Sequence, residues 1–148
     1  MNTKQPNAAL NITPATHPLD AAIVAALRED LPGLQSVYRY GSAGGPYERP
    51  DSDIDIAFLT DQPLALKKGL ELAGQLMQVT RHDVDLNDLR TLPLGLRVQI
   101  ALTGIRLYAA NPAAAEEYDS RTLSDYVRLN EERGAILTDI AQRGSIYG

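Results

Sequence analysis

Hydrophobic and polar positions recur along this chain at two periods, and the changes of period divide it into elements. Over residues 18–30 apolar side chains fall at helical spacing (Leu19, Ala22, Ile23, Ala26, Leu27). Thr16 is a candidate cap, Pro18 suits a first turn, and Pro32-Gly33 ends the helix. Residues 34–40 drop to period two, a strand with Leu34, Ser36, Tyr38 and Tyr40 on one side. Residues 53–59 repeat that pattern, with Ile54, Ile56 and Phe58 facing one way and Asp53, Asp55, Ala57 and Leu59 the other. A helix is predicted over residues 63–79. Leu66, Leu70, Ala73 and Met77 are its expected buried stripe, broadened by Leu72 and Leu76.

Residues 82–86 form a short strand, with Val84 and Leu86 on one face and Asp83 and Asp85 on the other. Thr91 and Pro93 open another helix and Gly104 closes it; residues 105–108 are a fourth strand. Asn111-Pro112 reads as a turn, followed by a short helical piece over residues 113–118. A last helix is predicted over residues 122–141, with Asp119, Ser120 and Thr122 as capping candidates and Gly134 as the mark of a close crossing. Residues 1–16, rich in Asn, Thr, Ala and Pro, read as a leader. Residues 17–148 read as one domain, of which about 119–148 is the C-terminal helix.

Composition narrows the function classes. At 148 residues, 44% hydrophobic and 22% charged, the chain suits a soluble globular protein. It has no Cys, which removes disulfides and thiolate chemistry, and two His, too few for a His-built zinc site. A net charge of -5 argues against direct nucleic-acid binding, which requires a basic face. No apolar run reaches the ~18 residues of a membrane span, and a cytoplasmic protein is the simplest reading.

The chemistry concentrates between Tyr40 and Phe58. Gly41-Ser42 follows a strand, and ten residues later Asp53-Ile54-Asp55 enters the next strand. Carboxylates two apart on a strand share a face, about 7 Å apart along the backbone. They can converge on divalent cations such as Mg²⁺, which takes one or two carboxylates plus phosphate oxygens. Two such ions would serve phosphoryl or nucleotidyl transfer. A third carboxylate is expected on a neighbouring strand: Asp85 is the choice, also as general base, and Asp83 on the same face is the alternative. Gly41 permits a sharp turn, Ser42 can offer its hydroxyl and amide to phosphate oxygens, and Gly44 and Gly45 let a phosphate approach backbone N–H groups. Lys67, Lys68, Arg39 and Arg97 are further candidates to reach a triphosphate, although a solvated helix start suffices for the lysines. His82 and most tyrosines read as structural.

Gly41-Ser42, ten residues, then Asp53-Ile54-Asp55 resembles the signature of the nucleotidyltransferase superfamily related to DNA polymerase beta. The similarity covers about residues 19–110 and is greatest to its minimal, single-domain (MNT) members. It implies an α+β fold, a small mixed sheet flanked by helices, with a C-terminal helix. It also implies ATP as substrate and two Mg²⁺ ions. Asp53 and Asp55 would hold the metals, Asp85 would be the third carboxylate, and Gly41 and Ser42 would bind the phosphates. The loop departs from the usual pattern: Ala43-Gly44-Gly45-Pro46 stands where many minimal members have Ala-Arg-Gly. Short bacterial proteins of this kind resemble the antitoxins of MNT–HEPN pairs. The implied reaction is AMP transfer to a tyrosine hydroxyl of a cognate HEPN ribonuclease toxin. Two other functions fit such a domain: an antitoxin acting by steric binding alone, and a nucleotidyltransferase of small molecules such as aminoglycosides, whose enzymes usually carry a further domain that is missing here.

Overall fold

The structure is a computed structural model and describes residues 18–41 and 53–143. In chain order these form α1 (Pro18–Asp30), β1 (Leu34–Tyr40), β2 (Ile54–Thr60), α2 (Leu66–Thr80), β3 (Val84–Asp88), a 3-10 turn (Leu89–Thr91), α3 (Leu94–Thr103), β4 (Ile105–Ala109) and α4 (Pro112–Gln142). The strands make one sheet in the order β3-β2-β1-β4. β1 runs antiparallel to both β2 and β4, while β2 and β3 are parallel. A parallel pair needs a crossover, and α2 supplies it.

β1 and β2 occupy the centre of the sheet, which explains their nearly continuous burial. One sheet face packs against α1 and α2: Ile23, Val24 and Leu27 meet Leu72 and Leu76 over Val37, Ile54, Ile56, Phe58 and Val84. The other face carries a smaller core of Tyr38, Ala57, Leu59, Leu89 and Ile100, with Tyr40, Leu92, Leu96 and Tyr118 packed against it. On the first face, Arg39 reaches Asp20 in the first turn of α1. Its Nε donates to Oδ1 at 2.9 Å and its Nη2 to Oδ2 at 3.2 Å. Asp20 is fully buried and Arg39 nearly so, so neither charge is tolerable without the other. Arg39 is therefore a structural residue on the α1 side, and the expectation that it reaches a triphosphate is corrected.

Two helices differ from the sequence reading. In α2 the buried positions are Leu72, Leu76 and Thr80. Leu66, Leu70 and Met77, the expected core stripe, are 79%, 65% and 38% exposed. Apolar residues lie on two sides of this helix, and packing against α1 and β3 selects the side with Leu72 and Leu76. Thr80 is buried without penalty because its hydroxyl donates to the Leu76 carbonyl at 2.8 Å. The C-terminal segment is one helix of 31 residues. Asn111 is its cap, with Oδ1 accepting from the Ala114 N–H at 3.2 Å, and Pro112 takes the first turn. Asp119, Ser120 and Thr122 lie inside this helix, and Thr122 turns its hydroxyl back onto the Tyr118 carbonyl. Gly134 has open space around it and marks no crossing. The proposed Thr16 cap lies outside the described residues.

Candidate active site

Topology gathers the acidic residues. β1 ends, and β2 and β3 begin, at one edge of the sheet. Asp53 precedes β2, Asp55 is its second residue, and Asp85 is the second residue of β3. Parallel pairing sets Asp55 directly opposite Asp85; adjacent strands lie about 4.8 Å apart. Asp53 lies two positions before Asp55, so three carboxylates share this edge on the α3/α4 side of the sheet. Asp53 and Asp85 are exposed and Asp55 is half-buried. Burial, and then the like charges of Asp85 and Asp53, push the Asp55 carboxyl above its ordinary value. Asp83, the alternative third carboxylate, is exposed just before β3, and its carbonyl accepts from the Ile54 N–H at 2.9 Å. The in-register partner of Asp55 is Asp85.

Gly41 closes the site from β1. Its φ is +94°, a conformation natural to glycine. The space where a side chain would begin belongs to Asp55: a Cβ on Gly41 would overlap Oδ2 and stand 3.0 Å from Cγ. Glycine is thus required here twice, by backbone angle and by the carboxylate lying against it. Ser42, Gly44 and Gly45 lie outside the described residues.

Tyr40 and Asn87 also belong to this edge. Asn87 Nδ2 donates to Tyr40 Oη at 2.9 Å. Tyr40 is the antiparallel partner of Asp55. Burial and the charges of Asp55 and Asp85 push its phenol up. The spacing held a signal for both: Tyr40 immediately precedes Gly41, and Asn87 follows Asp85 by two, which returns it to the same face. Farther along this face, Tyr38 donates its hydroxyl to the Asp119 carboxylate at 3.0 and 2.9 Å, and Arg106 reaches Glu116 at 2.9 Å. These groups line a cavity of about 340 Å³ beside α4, away from the paired carboxylates. Of the other basic candidates, Arg97 donates to the Leu92 carbonyl at 3.1 Å; His82, expected to be structural, meets the Thr80 carbonyl at 2.8 Å in the α2–β3 turn.

The donor set suits a hard divalent cation. Asp55 and Asp85 face each other across one strand spacing, and Asp55 lies against a residue without a side chain. Among the described residues no group of three or more acidic or histidine side chains is close enough to hold an ion unaided. Mg²⁺ takes one or two carboxylates and completes its shell with phosphate and water oxygens.

A four-stranded mixed sheet with acidic residues at the start of β2 and β3, beside a glycine turn, is the arrangement of a nucleotidyltransferase. Residues 22–113 match the polymerase beta nucleotidyltransferase family. The chain is 36% identical over 118 residues to the protein adenylyltransferase MntA of Shewanella oneidensis, covering 80% of this chain and 84% of that protein. It superimposes on chains of two solved toxin–antitoxin structures. One, a toxin–antitoxin with AMP-PNP, has 34% identity, covers 82% of this chain and 98% of the other, and gives a TM-score of 0.71. The second is a tri-AMPylated Shewanella oneidensis HEPN toxin in complex with MNT antitoxin, at 34% identity, 83% and 96% coverage and a TM-score of 0.68. The chain belongs to the polymerase beta nucleotidyltransferase family.

Proposed function

We propose that this protein is an adenylyltransferase antitoxin. It transfers AMP from ATP to a tyrosine hydroxyl of a cognate HEPN ribonuclease toxin and so silences it. The observation that carries this reading is the in-register pairing of Asp55 with Asp85 beside Gly41, in a chain 36% identical to a protein adenylyltransferase. The AMP-PNP and AMPylated-toxin complexes of similar chains support ATP as the donor and a HEPN protein as the acceptor. Asp53, Asp55 and Asp85 would hold Mg²⁺, which when bound neutralises charge on the phosphates and lowers the barrier to displacement at the α-phosphorus. Gly41 and Ser42 would receive the β- and γ-phosphates. The acceptor oxygen forms a bond to the α-phosphorus, the α–β bridging bond breaks, and pyrophosphate leaves; Asp85 takes the hydroxyl proton.

The reading is tested by mixing the protein with its cognate toxin and α-labelled ATP. The parent labels the toxin, and the Asp53→Ala/Asp55→Ala variant does not. Full labelling by that variant would sink the mechanism. Toxin neutralisation by an unlabelling variant, at parent strength, would favour steric binding instead.

A further inference from the structure

The contacts of α4 fix its direction. It starts beside the end of β4 and the start of β1, where the Ala110 N–H donates to the Gln35 carbonyl at 2.9 Å and Ala115 and Tyr118 line a cavity with Ser36. One turn on, Glu116 accepts from Arg106 in β4 and Asp119 accepts from Tyr38 in β1. Farther on, Ser120 and Leu123 line the second cavity with Gly104, the residue just before β4. β4 begins where β1 ends, since Ile105 is the partner of Arg39. α4 therefore runs along the site face of the sheet, opposite in direction to β4. By Leu123 it has reached the end of the sheet that carries Gly41, Asp55 and Asp85, and the rest of the helix overhangs that end.

The overhang keeps the apolar face of the helix. Ala115, Thr122, Leu129 and Ile136 recur every seven residues and so share one face. Ala115 and Thr122 are buried, Leu129 is half-buried, and Ile136 is exposed together with its neighbours Leu137 and Ile140. Burial falls along one unbroken stripe, so the domain runs out beneath the helix while the stripe continues. Leu102, in the last turn of α3, is exposed at the same end. Contiguous uncovered apolar surface of this kind marks a protein contact. Its size indicates which. Residues 130–142 are all exposed. At about 1.5 Å per residue and about 10 Å of width they offer roughly 200 Å², against about 800 Å² per partner in a stable complex. The overhang alone is too small to hold a second copy of this chain. It suits a protein that covers the overhang and the catalytic edge together, and a protein acceptor has to reach that edge. We propose that the α4 overhang docks the acceptor toxin: Ile136, Leu137 and Ile140 bind an apolar surface of the toxin while its tyrosine hydroxyl lies at the Asp55–Asp85 edge. The proposal rests on the toxin-acceptor reading given above.

The test uses the triple variant Ile136→Gln/Leu137→Gln/Ile140→Gln. Gln is a good helix former and adds no charge, so the overhang keeps its helix; circular dichroism verifies that. Toxin affinity is measured by titration calorimetry, and labelling kinetics with α-labelled ATP are followed as toxin concentration is varied. The Kd and the KM for toxin are each expected to rise about tenfold or more, as when apolar anchors leave an interface, with the loss in KM and not in kcat. Leu66→Gln/Leu70→Gln, an equally exposed apolar pair on α2 behind the opposite face of the sheet, is expected to keep the parent Kd and KM. If the triple variant binds and labels toxin within twofold of the parent, docking by the overhang is overturned and the transfer reading stands. An equal loss in the α2 variant would also overturn it, as an unspecific effect of apolar surface. So would sedimentation showing a parent dimer that the triple variant dissociates with the KM for toxin unchanged, which makes the overhang a contact between copies. If the parent neither binds nor labels toxin, the acceptor reading fails and takes the proposal with it.

Discussion

Asp55 and Asp85 are direct partners on parallel strands, two carboxylates face to face at the sheet edge. Like charges directly opposite destabilise a strand pair by about 0.2–1 kcal/mol, so this pairing costs the fold stability in the absence of a cation. Asp85→Asn is expected to raise the thermal midpoint of the metal-free protein by up to about 3 °C while removing AMP transfer. Calorimetry in chelator, set beside the labelling assay, checks both halves.

The same relationship has a pH signature. The Asp55 carboxyl lies above its ordinary value in the folded chain, through burial first and then the charges of Asp85 and Asp53. Between its unfolded and folded values the native state therefore binds more protons than the unfolded state, and stability falls as pH rises through that window. Below the unfolded value the penalty is absent. Denaturant midpoints measured in chelator across the mildly acidic range should show a contribution of this sign, and Asp55→Asn should remove it.

Gly41→Ala should damage the site more than the fold. Its Cβ would meet Asp55 Oδ2 and would sit on a backbone at φ +94°. Strain of this kind costs about 1–3 kcal/mol. Displacing the carboxylate by about 1 Å is expected to cost about a hundredfold in transfer rate. Toxin labelling kinetics and a melting curve on one preparation separate the two effects.

Asp20→Ala should do the reverse. It leaves the Arg39 guanidinium buried without its carboxylate partner on the face opposite the site. Breaking such a pair costs about 3–5 kcal/mol. The denaturant midpoint should drop sharply, while variant that is still folded should label toxin at close to the parent rate.

Much of this architecture was legible in the sequence because period and punctuation agreed. α1 matches its expected span, bounded by Pro18 and Pro32-Gly33. The acidic strand starts follow from side-chain alternation alone, and so does the shared face of Asp53 and Asp55. What alternation could not supply was register: that Asp85, and not Asp83, stands opposite Asp55 depends on how β3 slides against β2. In α2, Leu66-Leu70-Met77 and Leu72-Leu76 are both helical stripes, and only the position of α1 and β3 chooses between them. Asp119, Ser120 and Thr122 are capping types, so the local pattern suggests a break that the single α4 does not have. In the fold Asp119 instead accepts from Tyr38, eighty-one residues away in sequence, a partner no local rule reveals. The contact between Tyr40 and Asn87 is likewise long-range, crossing forty-seven residues, although the spacing of each from Gly41 and Asp85 is a local signal.

The 31 residues of α4 span roughly 46 Å at 1.5 Å per residue. Its first part is anchored by buried Ala115 and Thr122, but every residue from 130 to 143 is exposed, including Ile136, Leu137 and Ile140. A helix segment of that length has marginal cohesion by itself. Its two ends should therefore keep time differently: amide protons near Ala115 should exchange with solvent only on global opening, whereas those beyond Gly134 should exchange at close to unprotected rates until something covers that surface.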